Sequence, residues 1–408
     1  MTETFNRKRE HALQYQALLL LSLAELLSLG LWFSATAALP SLKAEWLLSD
    51  SESAWLTMAV QLGFVVGAFG SSLLNLPDII NTRTLIAVSA FLGAATNIFF
   101  ALFVRTYELA IVSRFFVGLF LSGVYPPGMK LMSTWFKESR GYAIGVLIGA
   151  LTIGSASPHL FKTFGDLHWQ QLMELSALSA ILGGIIVLFF VKTGPYATPT
   201  PKFDWRAVAN VLRDRSTRLA NFGYFGHMWE LYAMWAWIPT FVLESFGEDS
   251  DNPTAAGVAF AVIAAGGMGC ILAGKLADRV GRTVVTIWSM AISGICCLLV
   301  GFLFGKNPYF LTSLCLLWGC AVVADSAQFS TAITELCDQR FVGTALTFQT
   351  AVGFLLTIVS IRLIPVVKEL VGWKFAFMSL SIGPLLGILA MARLRQLPEA
   401  IKMANGRR

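Results

Sequence analysis

Residues 274–283 read GKLADRVGRT and interrupt a long apolar region of the chain. Lys275, Arg279 and Arg282 make this stretch basic. Apolar runs of about 20 residues, the length that a helix needs to cross a bilayer, lie on both sides of it. Because basic loops tend to remain on the cytoplasmic side of a membrane, the stretch predicts a cytoplasmic turn between two membrane-spanning helices.

The composition extends this interpretation to the whole chain. Of its 408 residues, 56% are hydrophobic and 13% are charged, and the mean hydropathy is +0.68. A soluble domain carries about 25% charged residues, so this chain has too few to cover a water-facing surface of its size. We exclude a water-soluble enzyme and a disordered chain, and we expect a polytopic membrane protein.

Twelve apolar stretches are long enough to span a membrane, and they lack the period-2 alternation of barrel strands, so we expect an all-α membrane protein. The predicted spans are 15–40, 53–76, 84–104, 108–132, 141–163, 170–192, 219–245, 254–275, 284–304, 308–332, 342–366 and 373–393. A long polar connection divides them evenly. We therefore expect two six-helix bundles, at 1–192 and 219–408, joined by a cytoplasmic central loop at 193–218.

Basic residues are distributed unevenly between the two sides of this layout. With the N-terminus, the even-numbered loops and the C-terminus in the cytoplasm, most of the 30 Lys and Arg residues fall on the cytoplasmic side. The opposite loops carry acids such as Glu244 and Asp249. This asymmetry predicts a multi-pass protein of the cell membrane, of the bacterial inner-membrane type, with both termini in the cytoplasm.

Weak internal sequence repeats suggest that the two bundles arose by duplication. Residues 76–83, after span 2, read LPDIINTR, a degraded form of the basic stretch after span 8. Glu25-Leu is followed by Trp32 in span 1, and Glu230-Leu is followed by Trp237 at the same spacing in span 7. Repeats of this kind are typical of transporters built from two related halves.

The stretch at 274–283 fits the loop signature G-x-x-x-D-R-x-G-R-[RKT], and the chain resembles the major facilitator superfamily at this point. Residues 114–118, RFFVG, resemble the second signature of that superfamily, R-x-x-x-G. The resemblance implies two pseudo-symmetric six-helix bundles. It also implies a secondary transporter that works by alternating access and holds its solute between the two halves.

A further resemblance concerns subgroups of that superfamily. The YPPG of residues 125–128, followed by Trp135-Phe136 and by Ser-Arg-Gly at 139–141, is similar to the span 4–5 region of organic-anion and nitrate-type symporters. The glycine-rich nitrate signature is missing from spans 5 and 11, so the resemblance does not imply nitrate as the solute.

The loop motif also supplies candidates for a conformational latch, namely Gly274, Asp278, Arg279, Gly281 and Arg282. A carboxylate at the end of a helix can bind basic partners and the N-terminus of a neighbouring helix. Such a cluster would form when the two halves meet at the cytoplasm and break when they part. Ordinary positive-inside charge is the alternative explanation.

Three acids inside the spans are candidates for proton coupling: Glu25, Glu230 and Asp325. A charge at mid-membrane costs about 2.5–3.5 kcal/mol on insertion scales, so such residues are functional candidates by default. Glu25 and Glu230 lie at nearly equal depth in spans 1 and 7. The resemblance places these spans around the cavity, so we expect the two carboxyls to face each other and one of them to carry the coupling proton. A structural hydrogen bond to a neighbouring helix is the alternative.

Candidate solute-binding residues come from several spans. They are Arg114, Tyr125, His159, His227, Trp229, Tyr232 and Gln328. Arg114 keeps its charge and therefore needs an anion, either a solute carboxylate or an acid of the protein such as Glu25. On span 7, the helical period places Phe222, Phe225, Trp229 and Tyr232 on one side, where they suit either a planar solute or contacts with lipid and other helices.

Together these patterns predict a proton-coupled secondary transporter of a small organic solute, which we expect to be an anion because of Arg114 and the symporter resemblance. Proton-driven efflux of cationic or planar aromatic compounds is the alternative, and the membrane acids favour it. A passive channel or a transporter-like sensor remains open. His159 and His227 stand alone, so we expect no enzyme, metal or cofactor. We expect a monomer whose partners are the solute, protons and the bilayer, and no nucleic acid.

Overall fold

The computed structural model describes the chain with a few gaps. The described residues are 2–74, 76–136, 140–164, 167–196, 213–247, 253–338 and 341–408. Within these ranges the chain is helical and contains no strand, which confirms the predicted all-α fold. Most of the predicted central loop, 193–218, lies outside the described residues. The boundaries of the two bundles therefore stay a prediction.

The long helices follow the predicted spans, and we number them by span. They are α1 Thr2–Trp46, α2 Asp50–Leu73, α3 Thr82–Phe103, α4a Tyr107–Leu121, α4b Tyr125–Ser133, α5 Arg140–Phe161, α6 Trp169–Phe190, α7 Arg215–Phe246, α8 Pro253–Val280, α9 Arg282–Val300, α10a Pro308–Ala324, α10b Ser326–Leu336, α11 Val342–Val371 and α12 Ile382–Arg395. Short helices at Trp373–Ala376 and Phe377–Ser381 lead into α12.

Eleven of these segments in the described chain are long and apolar enough to cross a membrane. The exception is α7, which has 32 residues. Its many aromatic and polar side chains, such as Asn221, Tyr224 and His227, lower its hydropathy below that of a typical span. A helix of this length still reaches across a hydrocarbon layer of about 30 Å.

Local sequence explains where the helices turn or break. Pro126 and Pro127 open α4b, where a missing backbone N–H leaves no hydrogen bond unmade. Gly281 separates α8 from α9 with a φ of 103°, a conformation that side chains rarely allow. Asp325 alone separates α10a from α10b. The breaks in α4 and α10 occur at corresponding places in the two halves.

The two halves repeat the same packing. In the first half, α1 packs on α5 and α6, α2 packs on α4a, and α3 packs on α4a and α6. In the second half, α7 packs on α11 and α12, α8 packs on α10a, and α9 packs on α10a and α12. The halves meet mainly where α5 packs on α8 and α2 packs on α11. This arrangement is the pseudo-symmetry that the weak sequence repeats predicted.

Glycines allow the closest helix contacts. A Cβ at Gly154 of α5 would lie 2.7 Å from Leu26 Cα of α1, so these helices approach backbone to backbone. Between the halves, a Cβ at Gly149 would lie 2.9 Å from the carbonyl oxygen of Gly267. Small residues at such contacts are the usual means by which membrane helices pack tightly.

We expect Gly154→Ala to lower the free energy of unfolding by about 1–3 kcal/mol, because the added methyl meets the α1 backbone, which has no room to shift. The measurement is the thermal unfolding temperature of the purified protein in detergent. Gly70→Ala is the matched control, since a Cβ there meets no atom within 4 Å. Equal unfolding temperatures for the two variants would contradict this account of the α1–α5 contact.

Candidate functional site

An aromatic layer closes the centre of the molecule, and it consists of Trp32 and Phe64 from the first half and Tyr232 and Phe354 from the second. Ring centroids lie 5.6 Å apart for Trp32 and Tyr232, and 5.5 Å apart for Trp32 and Phe354. Phe64 and Phe354 lie 4.6 Å apart. These separations are typical of favourable aromatic pairs, so the layer joins the two halves. Of these four residues the sequence proposed only Tyr232 for the solute site, since an aromatic residue in one span gives no sign of its partner in another.

A cluster of buried polar side chains lies next to this layer, and we call the region that they surround the chamber. We call the end of the bundle at which α1 begins the N-terminal face, and the other end the distal face. Glu25 lies seven residues before Trp32 on α1, or about 10 Å towards the N-terminal face. The chamber residues are Glu25, Tyr125, Tyr224, His227 and Asp325. Tyr125 of the first half interacts electrostatically with Glu25 and, across the interface, with Tyr224. The chamber therefore draws side chains from both halves.

Glu25 has the least usual environment in the chamber. Its side chain is 1% exposed, and neither carboxylate oxygen has a hydrogen-bond partner among the described residues. One oxygen lies against Gly128, at the position that a Cβ would occupy. The glycine of the YPPG stretch thus makes room for the carboxylate. A buried carboxyl without a partner is costly, and a proton or a ligand would relieve that cost.

On the other side of the chamber, Asp325 faces His227. The Oδ1 of Asp325 lies 2.9 Å from the Nδ1 of His227, although no aligned hydrogen bond joins them, and both side chains are buried. Ser326 Oγ lies 2.8 Å from the other ring nitrogen, Nε2. The break in α10 at Asp325 places both Asp325 and Ser326 beside α7. The structure thus brings Glu25, Tyr125, His227 and Asp325, all predicted site residues, to one region.

Glu230 lies elsewhere, and this corrects the expectation that it faces Glu25. Its Oε1 accepts hydrogen bonds from Trp318 Nε1 at 2.6 Å and from Cys297 Sγ at 3.0 Å. Its Oε2 accepts one from Ser293 Oγ at 2.9 Å. These partners belong to α9 and α10a, so Glu230 occupies the side of α7 that packs within the second half. Its contacts match the alternative, a structural hydrogen bond to neighbouring helices.

Arg114 is likewise enclosed within one half. It is fully buried, and its Nη1 donates to Ser34 Oγ at 3.2 Å and to Asn97 Oδ1 at 3.3 Å. Its Nη2 donates to the backbone oxygens of Leu31 and Trp32. The expected anionic partner is replaced by carbonyl oxygens of α1, because the guanidinium points between α1 and α3. Arg114 therefore holds the α1 backbone at the residue whose ring joins the aromatic layer, and the anion prediction loses its structural support.

Three further candidates also lie outside the chamber. His159 lines a small pocket near the distal face, together with Thr36 and Thr240. Trp229 packs against α12, where its Nε1 lies 3.5 Å from the backbone oxygen of Ser379. The aromatic residues that the sequence placed on one side of α7 therefore do not share one environment. Of Trp229 and Tyr232, only Tyr232 belongs to the aromatic layer. Gln328 accepts a hydrogen bond from Arg282, so it belongs to the latch described next.

The predicted latch lies at the N-terminal face. Arg282 donates from Nε and Nη2 to both oxygens of Glu335, each at 2.6 Å, and lies 3.6 Å from Asp278. The Asp278 carboxylate lies against Gly141 in the first turn of α5, where a Cβ would be 3.2 Å from Oδ1. Gly274 also approaches Gly141, whereas Arg279 is exposed. The motif of the second half thus contacts a helix N-terminus of the first half.

A second cluster, which the sequence did not reveal, joins the halves at the distal face. Lys368 lies 3.2 Å from Asp50 of the first half and 2.7 Å from Glu244 of the second. Asp50 also pairs with Lys43 of its own half. Trp373 donates from Nε1 to Glu244 at 2.6 Å, and its ring lies beneath the Lys368 ammonium. We call these five residues the distal latch. Charges at helix ends are common, so sequence position alone gave no sign of this pairing.

Comparisons with known proteins agree with this architecture. A sequence model of the Major Facilitator Superfamily matches residues 21–361. The solved structure of the proton:xylose symporter XylE bound to 6-bromo-6-deoxy-D-glucose is similar over 94% of this chain and 96% of its own, with a TM-score of 0.75 and 13% identity. The crystal structure of a mutant of the nucleoside transporter NupG is similar over 93% of this chain and 99% of its own, with a TM-score of 0.69 and 14% identity.

Curated relatives are similar in sequence over little more than half of the chain. The chain is 25% identical to the agnestins efflux protein AgnL12 of Paecilomyces divaricatus over 237 residues, which are 56% of this chain and 53% of that protein. It is 22% identical to the MFS-type transporter pytF of Aspergillus terreus over 251 residues, or 57% of this chain and 78% of that protein. The match to AgnL12 thus spans about half of that protein's length.

We expect Lys368→Met to favour opening at the distal face, because Lys368 is the member of the distal latch that joins Asp50 to the other half. An ion pair of this kind contributes up to about 1 kcal/mol, so the open population should rise several-fold. The measurement is the rate at which a maleimide labels Thr36→Cys, a pocket position that is 4% exposed.

Lys43→Met is the matched control, since it removes the contact that Asp50 makes within its own half. It should leave the labelling rate close to that of the chain with Thr36→Cys alone. Equal acceleration by both lysine variants would show that the contact between the halves does not hold the distal face closed.

Proposed function

The chain belongs to the major facilitator superfamily, and on this premise we propose that it is a proton-coupled secondary transporter that moves a small organic solute by alternating access. The observation that carries the proposal is Glu25, a buried carboxyl that has no hydrogen-bond partner among the described residues. A group in that position gains most by binding a proton or a solute. Because the chamber also contains Tyr224, His227 and Asp325, binding of a proton or a solute there would also affect the second half.

The two sets of contacts at opposite faces support alternating access. At the distal face the halves are joined by Asp50 and Lys368. Towards the N-terminal face, Ser72 and Thr347 share a hydrogen bond of 3.1 Å, and Asp278 lies against Gly141. Both sets are formed in this structure, so the chamber is closed on both sides. Breaking one set while keeping the other would open the chamber to one face at a time.

The charge distribution supports an orientation with both termini in the cytoplasm. Basic residues such as Arg83, Arg282, Arg393 and Arg395 lie at or near the N-terminal face, as the positive-inside rule requires of a cytoplasmic side. A monomer fits the arrangement, since both halves that enclose the chamber come from one chain. The bacterial inner membrane stays a prediction, and the curated relatives named above come from fungi.

We expect Glu25→Gln to abolish the response of transport to a pH gradient, because the amide no longer takes up or releases a proton. A screen for compounds that raise the unfolding temperature, over carboxylates, amines and planar heterocycles, supplies the solute. Uptake of that solute into proteoliposomes is then measured with and without a pH gradient. Glu230→Gln is the matched control, since its carboxyl is bonded within the second half, and it should keep the response. A full response to the gradient in Glu25→Gln would contradict the proposed role of this residue.

Gly128→Ala tests the position of the Glu25 carboxyl without changing any charge. The added methyl would occupy the place of a carboxylate oxygen, and the flexible side chain would move aside. We expect gradient-driven uptake to fall by about an order of magnitude, since a shift of about 1 Å in a reacting group has effects of this size or more. The unfolding temperature should change little. Unchanged coupling in Gly128→Ala would show that the precise place of Glu25 does not matter.

A further inference from the structure

The charges around the chamber are unequal in sign. Glu25 and Asp325 contribute two carboxyls, and His227, the base beside them, lies between Asp325 and Ser326. Neither carboxyl accepts a hydrogen bond from a Lys or Arg side chain of the described chain. Arg114, which the sequence offered to an anion, is fully buried, and its guanidinium is occupied by α1 and α3. Among the described residues, those that form the chamber therefore offer carboxyl groups to a positive charge and include no Lys or Arg for a negative one.

This imbalance decides between solutes of different charge. An anionic solute would bring a like charge beside a buried carboxylate, where water screens the repulsion poorly. A protonated amine would instead give Glu25 both an opposite charge and a hydrogen-bond donor, which it lacks within the described part of the protein. The groups that border the chamber therefore favour a cation.

The aromatic layer adds a second requirement. Trp32, Tyr232 and Phe354 form the layer that bounds the chamber on its distal side. Aromatic faces attract cations and stack on planar rings. The indole nitrogen of Trp32 is buried and has no hydrogen-bond partner among the described residues, so it is available to a solute acceptor. The layer therefore suits a solute with a flat, unsaturated body.

We infer that the solute is an organic cation with a planar aromatic ring, bound with its ammonium group at Glu25 and its ring against Trp32 and Tyr232. The inference rests on the proposed function, because it takes the chamber as the solute site. It differs from the expectation of an anion, which rested on Arg114 and on the resemblance to organic-anion symporters.

Three indole compounds test the class of solute, because they share one ring and differ in charge. Tryptamine is a cation at neutral pH, tryptophol is neutral, and indole-3-acetate is an anion. Binding of each to the purified full-length protein is measured by isothermal titration calorimetry, without any pH gradient. We expect tryptamine to bind about tenfold more tightly than tryptophol, and indole-3-acetate to bind most weakly. Tighter binding of indole-3-acetate, or no binding of tryptamine at about millimolar concentration, overturns the inference.

Two variants locate the preference within the protein. Glu25→Gln should lower the affinity for tryptamine to that for tryptophol, so that the advantage of the cation disappears. Glu230→Gln, which alters a buried carboxyl that is already hydrogen-bonded within the second half, should keep that advantage. An advantage that persists in Glu25→Gln overturns the placement of the ammonium group. If the unmutated protein prefers tryptamine but its transport does not respond to a pH gradient, the proposed proton coupling is wrong and the inference about the solute still stands. The two proposals can therefore fail separately.

Discussion

A polar group that is buried between membrane helices must find its partner within the protein, and this constraint organises the molecule. Arg114 satisfies it with oxygens of α1 and α3, and Glu230 satisfies it with donors of α9 and α10a. Glu25 does not satisfy it within the described chain. Burial alone therefore does not mark the site. The candidate site is marked by Glu25, the one of these three ionisable groups that has no hydrogen-bond partner among the described residues.

The two satisfied groups also explain why each half can move as a unit. Asn97 and Cys297 lie 15 residues after Thr82 and Arg282, the first residues of α3 and α9. They occupy matching positions and take part in the bonds of Arg114 and Glu230 respectively. Each half is thus tied together at the same place by a buried polar cluster, with a cation in one half and a carboxyl in the other. Breaking either cluster would leave a buried polar group without partners, which favours rigid halves and a deformable interface.

The sequence predicted the helices and the symmetry of their packing, because span length, charge asymmetry and short repeated patterns are local features. It also singled out the GKLADRVGRT stretch, whose role as a latch stays a prediction. It did not predict which side of a helix faces the chamber. Glu25 and Glu230 have the same spacing to Trp32 and Trp237, yet Trp32 joins the aromatic layer and Trp237 donates to the backbone of α11. A helix that is apolar on all sides has no amphipathic pattern, so its sequence does not indicate which side faces the centre of the protein. The distal latch could not be predicted either, because its partners, such as Asp50 and Lys368, are far apart in the sequence.

The interface between the halves has to be weak enough for a bound solute to change it. The aromatic pairs that cross it contribute about 0.5–1.5 kcal/mol each, and an ion pair such as that of Asp50 and Lys368 up to about 1 kcal/mol. These increments are similar to what a ligand gains by binding one conformation better than another. A solute that contacts Glu25 and Trp32 of the first half and Tyr232 of the second would alter contacts on both sides of the interface at once. The unpartnered carboxyl and the aromatic layer beside it would then couple occupancy of the chamber to the contacts that keep each face closed.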